Sequence, residues 1–370
     1  MKRFFIRVGA LAHKESLHIV RDPRTLYLGL VLPLVMLLLF GFGVSFDLDH
    51  IPLAVVDQDQ TTDSRRLIDD WTASGEFELV GTLSNPDDAA RTFATGKAVA
   101  VLTIPEGFAR TLARGEVATL GLQLDGADGQ AAQQAMLRAD AFGRVASARA
   151  RRIQVAPVGA DVWTRFNPAG RSALFLVPGV SAYVLALVAV LLTALSVARE
   201  WERGSMEQLF ATPVGRLDIV VGKLLPYLAM GIVQVLLVLA AGAWVFGVPT
   251  RGNVLVLGLA SVLFMLGMLG QGLLISVITR NQMVATQAAT LSSMLPSLML
   301  SGFLFPVENM PLPLRWASNL VPARYYIEVL RGVLLKGNGW AEQWGALLAL
   351  AAFAAVMIAM STHRFQRKLA

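Results

Sequence analysis

Cysteine is absent from this chain of 370 residues. Without cysteine the protein has no disulfide bond, no thiolate nucleophile and no cysteine-ligated metal. The absence is compatible with an oxidising periplasm but does not prove that location. Any part of the chain that folds outside a membrane must therefore be stabilised by its packed core alone.

Charged residues are also scarce, because Asp, Glu, Lys and Arg make up 16% of the chain, against about 25% in soluble proteins. Hydrophobic residues make up 55% and are gathered into blocks, which indicates an integral membrane protein. The formal net charge is +6. Basic cytoplasmic loops of a membrane protein account for that charge. Nucleic-acid binding is disfavoured, since no basic stripe with interleaved aromatic residues occurs.

Six apolar segments are long enough to cross a bilayer as helices. A hydrocarbon core about 30 Å thick needs about 20 mostly apolar residues, at a rise of about 1.5 Å per residue. Helices are expected because every backbone polar group inside lipid must be paired within its own segment. The six predicted spans are Leu26–Val44, Ala173–Ala198, Leu224–Phe246, Val254–Thr279, Met283–Phe305 and Trp340–Ser361.

Lysine and arginine are concentrated at one set of span ends. They precede the first span, occur in the loop 199–223 and follow the last span. Because cytoplasmic loops carry the excess of positive charge, both termini are predicted in the cytoplasm of a bacterial inner-membrane protein. Residues 1–25 are predicted to form an amphipathic helix at the cytoplasmic membrane interface, with a solvated basic tail as the alternative, ahead of a first transmembrane helix at 26–45.

Residues 46–171 have the composition of a soluble protein and are predicted to form one extracytoplasmic domain. Strand patterns alternate there with helical patterns, which indicates a small α/β fold. Strands are expected at Ile51–Asp57, Phe77–Leu83, Val99–Ile104 and Thr119–Leu124, and helices at Thr61–Ala73, Pro105–Arg114 and Gln130–Ile153. The predicted fold class is an all-α membrane protein with six transmembrane helices and an inserted α/β extracytoplasmic domain. This domain either senses or guides a substrate, or it is a structural cap or dimerisation element.

No enzyme active site is recognisable in the sequence. Gly222-Lys223 lacks the upstream glycine and the following Ser or Thr of a phosphate-binding loop, so another polypeptide must hydrolyse any ATP that is used. Neither a metal site nor a catalytic triad is predicted. No acidic residue lies deep in a span, which disfavours proton-coupled antiport, where an intramembrane carboxylate usually carries the proton.

A few polar side chains lie inside the predicted spans. They are Gln234, Gln271, Gln287 and Ser293. Such residues form helix–helix hydrogen bonds or face a cavity. They are the candidate substrate pathway.

The loop 199–223 is charged and has helix signals of its own. Gly204 is expected to end the helix that leaves the second span. Ser205 and Gln208 have the S-x-x-Q spacing of a capping box, so a short helix is predicted to begin there. Thr212-Pro213 is expected to cap the next helix. A short charged helix at the cytoplasmic surface suits docking into a partner that moves.

Residues 306–339 are rich in proline, and Trp316, Tyr325 and Tyr326 are expected to anchor this segment at the outer membrane interface. Pro306 and Pro311 are expected to end the fifth span. Two amphipathic helices, Leu314–Asn319 and Ala323–Leu335, are predicted to follow and are too short to cross. Re-entrant helices of this kind are tolerated where they pack against protein or a cavity.

These two stretches resemble the signature regions of the type-2 ABC exporter permeases. The first family pattern, E-R-E-x-G-[ST]-x-E-Q-[LI]-x-x-[TS]-P, is matched by Glu200, Glu202, Arg203, Gly204, Ser205, Glu207, Gln208, Leu209, Thr212 and Pro213. The outer patterns are matched by Ser301, Gly302, Phe305, Pro306, Met310 and Pro311, then by Pro322, Arg324 and Tyr325. Trp201 stands where the family often has arginine, and Val321 replaces its usual asparagine. AVVDQDQ at Ala54–Gln60 and IPEGFAR at Ile104–Arg110 resemble the family branch with a large domain.

The resemblance implies a transmembrane permease subunit of an ABC exporter, moving drug-like or lipid-like amphipathic compounds out of the cytoplasm or inner leaflet, as in multidrug efflux. It implies a homodimer or a heterodimer with a similar permease, contacts with membrane lipids, and a separate ABC ATPase that binds ATP and Mg²⁺, so that no cofactor is expected in this chain. The segment Glu202–Thr212 would be the coupling helix. A periplasmic adaptor is a further candidate partner.

A function of another class keeps the same topology without transport. The chain would then be a membrane-anchored receptor or assembly scaffold whose α/β domain binds a ligand. Co-purification of an ABC ATPase separates the two interpretations, because only an exporter is expected to co-purify with an ABC ATPase and to stimulate the turnover of that ATPase.

Overall fold

The computed structural model describes residues 2–43, 50–125, 135–143, 171–206, 212 and 214–365. Two compact units make up the chain. One consists of Met1–Ser45 together with Arg165–Ala370, and the other of Phe46–Thr164. Within the described residues the first unit is helical and the second contains a small sheet.

The chain begins with an amphipathic helix, α1 (Lys2–Arg21). Val8, Leu11, Glu15 and Ile19 are buried on one side of it. Their spacing of three and four residues places them on a single helix face. One of the four is a carboxylate, and the burial of a charge on this face requires a partner from another helix.

A second helix, α2 (Pro23–Gly43), follows after one residue. Asp22 caps it, because its carboxylate accepts the backbone N–H of Arg24 at 3.0 Å. Proline at the first helical position costs no hydrogen bond, since the N–H groups of a first turn have no partner within the helix. Tyr27–Val31 form a π-helical turn within α2.

The second unit contains a four-stranded mixed sheet. Its strands are β1 (Ile51–Asp57), β2 (Phe77–Thr82), β3 (Ala100–Ile104) and β4 (Gly121–Leu124). The strand order is β2-β1-β3-β4, with β1 parallel to both neighbours and β4 antiparallel to β3. The helices of this unit are α3 (Thr62–Ala73), α4 (Ala89–Ala94), α5 (Phe108–Ala113) and α6 (135–143). All four predicted strands are confirmed, but most of the helix predicted at Gln130–Ile153 lies outside the described residues.

Strand β1 is buried on both of its faces. Leu53 and Val55 pack with Trp71 of α3 in the larger apolar cluster, whereas Ala54 and Val56 belong to a second cluster. A central parallel strand covered on both sides is expected to have a continuous apolar run rather than alternation. The run in β1 has that character, which explains why its bounds are readable from sequence.

The remaining helices belong to the first unit. They are α7 (Ser172–Glu202), α8 (Arg216–Phe246), α9 (Val254–Thr279), α10 (Gln282–Met299), α11 (Leu312–Ser318), α12 (Pro322–Arg331) and α13 (Trp340–Arg364). Helix α7 is buried along most of its length. It packs against α9 and α10, while α13 packs on α9 and α1 packs on α8.

Helices α7 and α9 approach closely at Gly272. A Cβ atom at Gly272 would lie 2.1 Å from Oγ1 of Thr193 and 2.3 Å from the carbonyl oxygen of Val190. The Thr193 hydroxyl donates to the carbonyl oxygen of Leu269 at 3.0 Å. Small residues that let backbones approach, with hydroxyls bonding across, are typical of helix packing in membranes.

Among the described residues, five helices are long and apolar enough to cross a membrane: α2, α7, α8, α9 and α13. The fifth predicted span, Met283–Phe305, is not among them; it corresponds to α10, which has 18 residues and so measures about 27 Å. Six spans therefore remain a prediction. Helix α10 ends at Met299, six residues before the predicted end at Phe305, and Gly302 adopts a left-handed conformation with φ of +78°.

Short helical pieces fill the segment between α10 and α13. A 3₁₀ turn at Val307–Asn309 precedes α11, and α12 continues as a π-helical turn at Gly332–Lys336. The two short helices predicted after the fifth span are therefore present. Proline at or just before the start of each favours these helix starts.

Candidate functional site

The loop between α7 and α8 contains most of the residues that the sequence singled out. Helix α7 ends at Glu202, and Gly204 is left-handed with φ of +70°, so the predicted break at Gly204 is confirmed. Arg203 lies exposed at the helix end and Thr212 is exposed in the loop. Glu207, Gln208 and Pro213 lie outside the described residues.

The expected cap at Thr212-Pro213 is wrong. Helix α8 begins at Arg216, and the backbone N–H of Gly215 donates to the carboxylate of Asp218 at 2.9 Å. A carboxylate in the first turn satisfies an N–H that has no helical partner and favours the positive end of the helix. The sequence contains both signals, but two more residues, Val214 and Gly215, follow the proline before the helix starts at Arg216.

The end of α7 is tied to the start of α10. The Glu202 carboxylate accepts the backbone N–H of Gln282 at 2.8 Å and also its side-chain amide. Trp201 directly precedes Glu202. The Arg280 guanidinium lies 4.5 Å from the centre of the Trp201 ring, a cation–π distance. Trp201, which replaces the arginine usual in the family pattern, therefore contacts a cation of the α9–α10 turn.

A buried ion cluster lies directly behind the loop. The Lys223 ammonium of α8 lies 2.7 Å from a carboxylate oxygen of Glu15 and 2.5 Å from one of Glu200. Lys14 lies 3.2 Å from the other oxygen of Glu200. Lys223 and Glu15 are each 2% exposed. Charges removed from water in this way persist only when they are paired, and two cations here match two carboxylates.

The cluster joins α1 to both helices that border the loop. Glu200 precedes the loop on α7 and Lys223 follows it on α8, while Glu15 belongs to α1. Gly222 packs against Leu11 so closely that a Cβ there would lie 2.7 Å from the Leu11 Cβ. The two ends of the loop are thus held against one N-terminal helix.

A second ion pair fixes the start of α2 to α7. Arg199 lies 3.3 Å from the Asp22 carboxylate, which also accepts the Thr25 hydroxyl. Burial acts to raise the pKa of Asp22, but the hydrogen bonds from Thr25 and the N–H of Arg24, with the Arg199 guanidinium, outweigh it. The pKa of this carboxyl therefore lies below its usual value, and Asp22 is ionised at neutral pH.

The residues Glu15 and Lys223 were missed as a pair in the sequence. A signal existed, because Glu15 is the only acidic residue of α1 and occupies its apolar face. A charged residue on an otherwise apolar face predicts a buried partner of opposite sign. The sequence separation of 208 residues conceals which cation that partner is.

The outer helices position the remaining motif residues. Pro306 and Pro311 are exposed and precede the 3₁₀ turn and α11 respectively, with Met310 half-buried between them. Pro322 is buried at the first position of α12. These prolines therefore favour the starts of the short helices.

Arg324 and Tyr325 bind the end of α11 to the start of α12. The Arg324 guanidinium donates to the Ser318 hydroxyl at 2.6 Å and to the Asn319 side chain at 2.7 Å. The Tyr325 hydroxyl donates to the carbonyl oxygen of Asn319 at 2.9 Å. Both residues of this family pattern therefore fix the angle between the two outer helices.

The next residue, Tyr326, was predicted to anchor the outer helices at the membrane interface, but it is buried and anchors α12 to α9 instead. Its ring stacks on Phe264 with centres 4.2 Å apart, and its hydroxyl lies 2.9 Å from that of Ser261. The side chain is fully buried. A buried tyrosine with a satisfied hydroxyl gives both apolar area and a fixed orientation.

The four candidate pathway residues differ in their surroundings. Gln271 donates to the Ser292 hydroxyl at 3.1 Å, a contact between α9 and α10. Ser293 is buried and donates to the carbonyl oxygen of Ala289 within its own helix. Gln234 is 1% exposed, and Gln287 is exposed on α10. The polar side chain of Gln271 is explained by its contact between two helices, and that of Ser293 by its hydrogen bond within α10.

In the second unit, Asp59 joins the two motifs that resemble the large-domain branch. Its carboxylate accepts the backbone N–H groups of Gly107 at 2.8 Å and Ala109 at 3.0 Å, at the start of α5. The Thr61 hydroxyl donates to it at 2.7 Å. The hydrogen bond from Thr61, together with those from the backbone, holds the pKa of Asp59 below its usual value. The Asp59 carboxylate therefore links the motif at Ala54–Gln60 to the motif at Ile104–Arg110.

Within the part of the chain that the structure describes, no cluster of three or more His, Asp or Glu side chains is arranged to hold a metal ion. The acidic residues Asp57 and Asp59 both accept backbone N–H groups instead.

Comparisons with known proteins cover nearly the whole chain. A family model described as ABC-2 family transporter protein matches residues 23–363. The chain is 34% identical to the probable multidrug ABC transporter permease YbhS of Escherichia coli strain K12, over 98% of this chain and 97% of that protein. It is 29% identical to the probable multidrug ABC transporter permease YbhR of the same strain, over 99% of this chain and 100% of that protein. It is also 30% identical to ABC transporter G family member 20 of Dictyostelium discoideum, over 55% of this chain and 28% of that protein.

Proposed function

Because the chain belongs to the ABC-2 family of transporter proteins, we propose that it exports drug-like or lipid-like amphipathic compounds from the cytoplasm or the inner leaflet. It is a transmembrane permease subunit of an ABC exporter, a multi-pass inner-membrane protein and a transport subunit rather than an enzyme. Family membership implies pairing with ABC ATPase subunits. In our proposal those subunits bind ATP and Mg²⁺, and this chain holds no cofactor. The names of the two Escherichia coli relatives support multidrug export.

The segment Glu202–Thr212 is the part of the chain on which the ATPase acts. The observation that carries this assignment is the buried cluster of Lys223, Glu15 and Glu200 behind the loop. If the loop were loosely held, movement of the ATPase would deform the loop without moving the helices. A loop whose two ends are fixed to α1, and whose first end is fixed to α10 through Glu202, moves these helices together.

Six spans and the placement of the domains complete the proposed architecture. Helix α10 is a span in addition to α2, α7, α8, α9 and α13, both termini are cytoplasmic, and residues 46–171 form an inserted extracytoplasmic domain. Residues 1–25 lie at the cytoplasmic interface ahead of the first span at 26–45, and residues 172–370 form a five-helix transmembrane domain. The charge distribution supports this orientation. The segment 306–339 supplies re-entrant helices at the outer surface, which is supported by short helices packed on α9 through Tyr326.

A second permease subunit, identical or similar, completes the transport unit. Exposed apolar residues on α10 support a contact there, with Met283 72% and Leu291 60% exposed. Gln287 lies exposed on the same helix. A polar side chain among exposed apolar ones on a spanning helix is suited to meet another protein chain rather than lipid. A periplasmic adaptor is a candidate partner of the extracytoplasmic domain.

Gln234 is the strongest of the candidate pathway residues. Both polar atoms of its side-chain amide are buried, and neither has a hydrogen-bond partner among the described residues. A buried amide left unpaired costs about 1–3 kcal/mol. A substrate or a rearranged helix that supplies a partner would recover that free energy, which fits a residue along a transport path.

The experiment is charge reversal at Arg203, whose exposed side chain has no ion-pair partner among the described residues. The wild-type protein is expected to co-purify with an ABC ATPase and to stimulate its turnover. Arg203→Glu is expected to insert normally and to lower the stimulation about fivefold or more.

The matched control is Arg315→Glu, at an exposed arginine of α11. This variant should leave stimulation unchanged. Full stimulation by Arg203→Glu would remove the loop from the coupling mechanism. If no ATPase accompanies the wild-type protein, the receptor or scaffold function is favoured instead.

A further inference from the structure

A strongly basic hollow lies where α1, α2 and α7 meet. It has a volume of about 440 Å³, and its charged lining consists of His18, Arg21, Asp22, Arg24, Arg199 and Arg203. We refer to these six residues as the basic hollow. Four guanidinium groups therefore face one carboxylate, so the hollow has a net charge of at least +3.

The single carboxylate is already engaged. Asp22 pairs with Arg199 at 3.3 Å and accepts hydrogen bonds from Thr25 and from the backbone of Arg24. The guanidinium groups of Arg21, Arg24 and Arg203 have no ion-pair partner among the described residues. Like charges held together in one concave site repel one another unless an anion enters. The missing component is an anion with several oxygen acceptors.

A second cavity adjoins the basic hollow. It has a volume of about 480 Å³, and the residues that line both are His18, Asp22, Arg24, Arg199 and Arg203. Its lining is mainly polar and includes Lys14, Glu15 and Glu200 of the buried ion cluster, next to a few aliphatic side chains such as Ile19 and Leu28. The basic hollow therefore continues inward to the ion cluster, and apolar surface for a ligand lies at its outer rim.

The outer rim of the site is apolar and uncovered. Val20 of α1 is 69% exposed and Tyr27 of α2 is 54% exposed, each one or a few residues from the arginines of the basic hollow. An aliphatic side chain and a tyrosine beside exposed arginines are typical of the boundary between headgroups and acyl chains. A ligand from the membrane can therefore enter from the side.

We propose that the basic hollow binds the phosphate of an anionic phospholipid from the cytoplasmic leaflet, with the acyl chains against the apolar rim at Val20 and Tyr27. Arginine suits this role because its planar guanidinium donates two parallel hydrogen bonds to phosphate oxygens. A cytoplasmic leaflet rich in anionic lipid supplies the ligand at high local concentration. The bound lipid joins α1, α2 and the first residue after α7. The assignment rests on the cytoplasmic placement of the N-terminal helix in the proposed function.

The test compares lipid binding by the full chain and by a variant with two charges removed. Wild-type protein is depleted of lipid in detergent, titrated with phosphatidylglycerol or phosphatidylcholine, and bound lipid is counted by native mass spectrometry. One phosphatidylglycerol per chain is expected to bind, with phosphatidylcholine much weaker. Arg21→Gln with Arg24→Gln is expected to weaken phosphatidylglycerol at least about tenfold, at roughly 1 kcal/mol for each arginine.

The control variant removes two exposed charges elsewhere, Arg315→Gln with Lys336→Gln, and should bind phosphatidylglycerol as the wild type does. Equal binding by both double variants would overturn the lipid site. Displacement of phosphatidylglycerol by inorganic phosphate at equal concentration would also overturn it and assign the site to a free anion.

A measurement of ATPase co-purification keeps this result separate from the proposed function. Loss of the ATPase from Arg21→Gln with Arg24→Gln, at unchanged lipid binding, would show that the hollow receives the ATPase and not a lipid. Specific lipid binding by a chain that recruits no ATPase would contradict the exporter assignment and leave the lipid site standing.

Discussion

Lys223 is a charged side chain held almost entirely out of solvent by two carboxylates from different helices. Removing an ammonium from water costs several kcal/mol, and only well-placed opposite charges offset it. Lys14 balances the second carboxylate at 3.2 Å. Because an apolar contact tolerates sliding and an ion cluster does not, these residues set the register between α1, α7 and α8.

Replacement of Lys223 by methionine is expected to destabilise the protein strongly. The substitution leaves Glu15 and Glu200 buried without their shared cation, which costs about 3–5 kcal/mol when a buried pair is broken. The melting temperature of the purified protein in detergent measures the effect. Glu15→Gln added to Lys223→Met should recover part of the loss.

Lys336→Met is the control for that series, since Lys336 is exposed. It should melt as the wild type does. An unchanged melting temperature for Lys223→Met would mean that the cluster does not hold α1 in place.

At the residue scale, sequence patterns identified positions better than partners. The motif singled out Glu202 and Arg203, and the structure places both at the end of α7. The bond from Glu202 to Gln282 spans 80 residues, so no local pattern contains it. The cap at Gly215 was misassigned because proline is a strong local signal, whereas the carboxylate of Asp218 acts only once the helix has begun.

At the element scale, α7 holds the first unit together through its contacts with α9 and α10. Without a hydrophobic driving force between helices in lipid, such contacts depend on close fit and on hydrogen bonds between helices. Gly272 provides the close fit, and Thr193 provides a bond to α9. The crossing of these two helices is therefore sensitive to a single added carbon.

Gly272→Ala is expected to separate α7 from α9. Its Cβ would lie 2.3 Å from the carbonyl oxygen of Val190, a backbone atom that cannot rotate away. Overpacking of this kind costs about 1–3 kcal/mol. The yield of monodisperse protein and its melting temperature measure the loss.

Gly258→Ala is the matched control on the same helix, because nothing lies within 4 Å of a Cβ at that position. It should be neutral or slightly stabilising, since alanine favours a helix over glycine. Equal behaviour of the two variants would show that α7 and α9 are not in close contact.

Helix α10 shows why element ends were harder to predict than element centres. The apolar run from 283 to 305 is continuous in sequence, yet the helix stops at Met299. Ser301 donates to the carbonyl oxygen of Ser297, and Gly302 reverses the chain with φ of +78°. Both are local hydrogen-bond and backbone effects that a hydropathy pattern does not contain.

At the scale of the whole molecule, the apolar helices and the central strand were predictable from the sequence, but the contacts between helices were not. In the part of the chain that the structure describes, long apolar runs form five helices able to span a membrane, and a central apolar run forms the buried strand β1, because burial dictates composition. Which helices pack on which depends on contacts between residues far apart in sequence. The basic hollow is such a case, since its arginines come from separate segments and each alone predicts only a solvated charge.

The number of spans decides the side of the membrane on which the chain ends. Five spans would put the basic ends of the chain, α1 and the end of α13, on opposite sides, contrary to the excess of positive charge expected in the cytoplasm. Six spans put both in the cytoplasm.

Because the chain has no cysteine, single cysteines labelled by a membrane-impermeant maleimide report each position without interference. In spheroplasts, His13→Cys, Met283→Cys and His363→Cys are expected to be protected, and Lys97→Cys and Leu312→Cys to be labelled. Met283 and Leu312 flank α10, so labelling of both, or of neither, would show that α10 does not cross and that the chain has five spans.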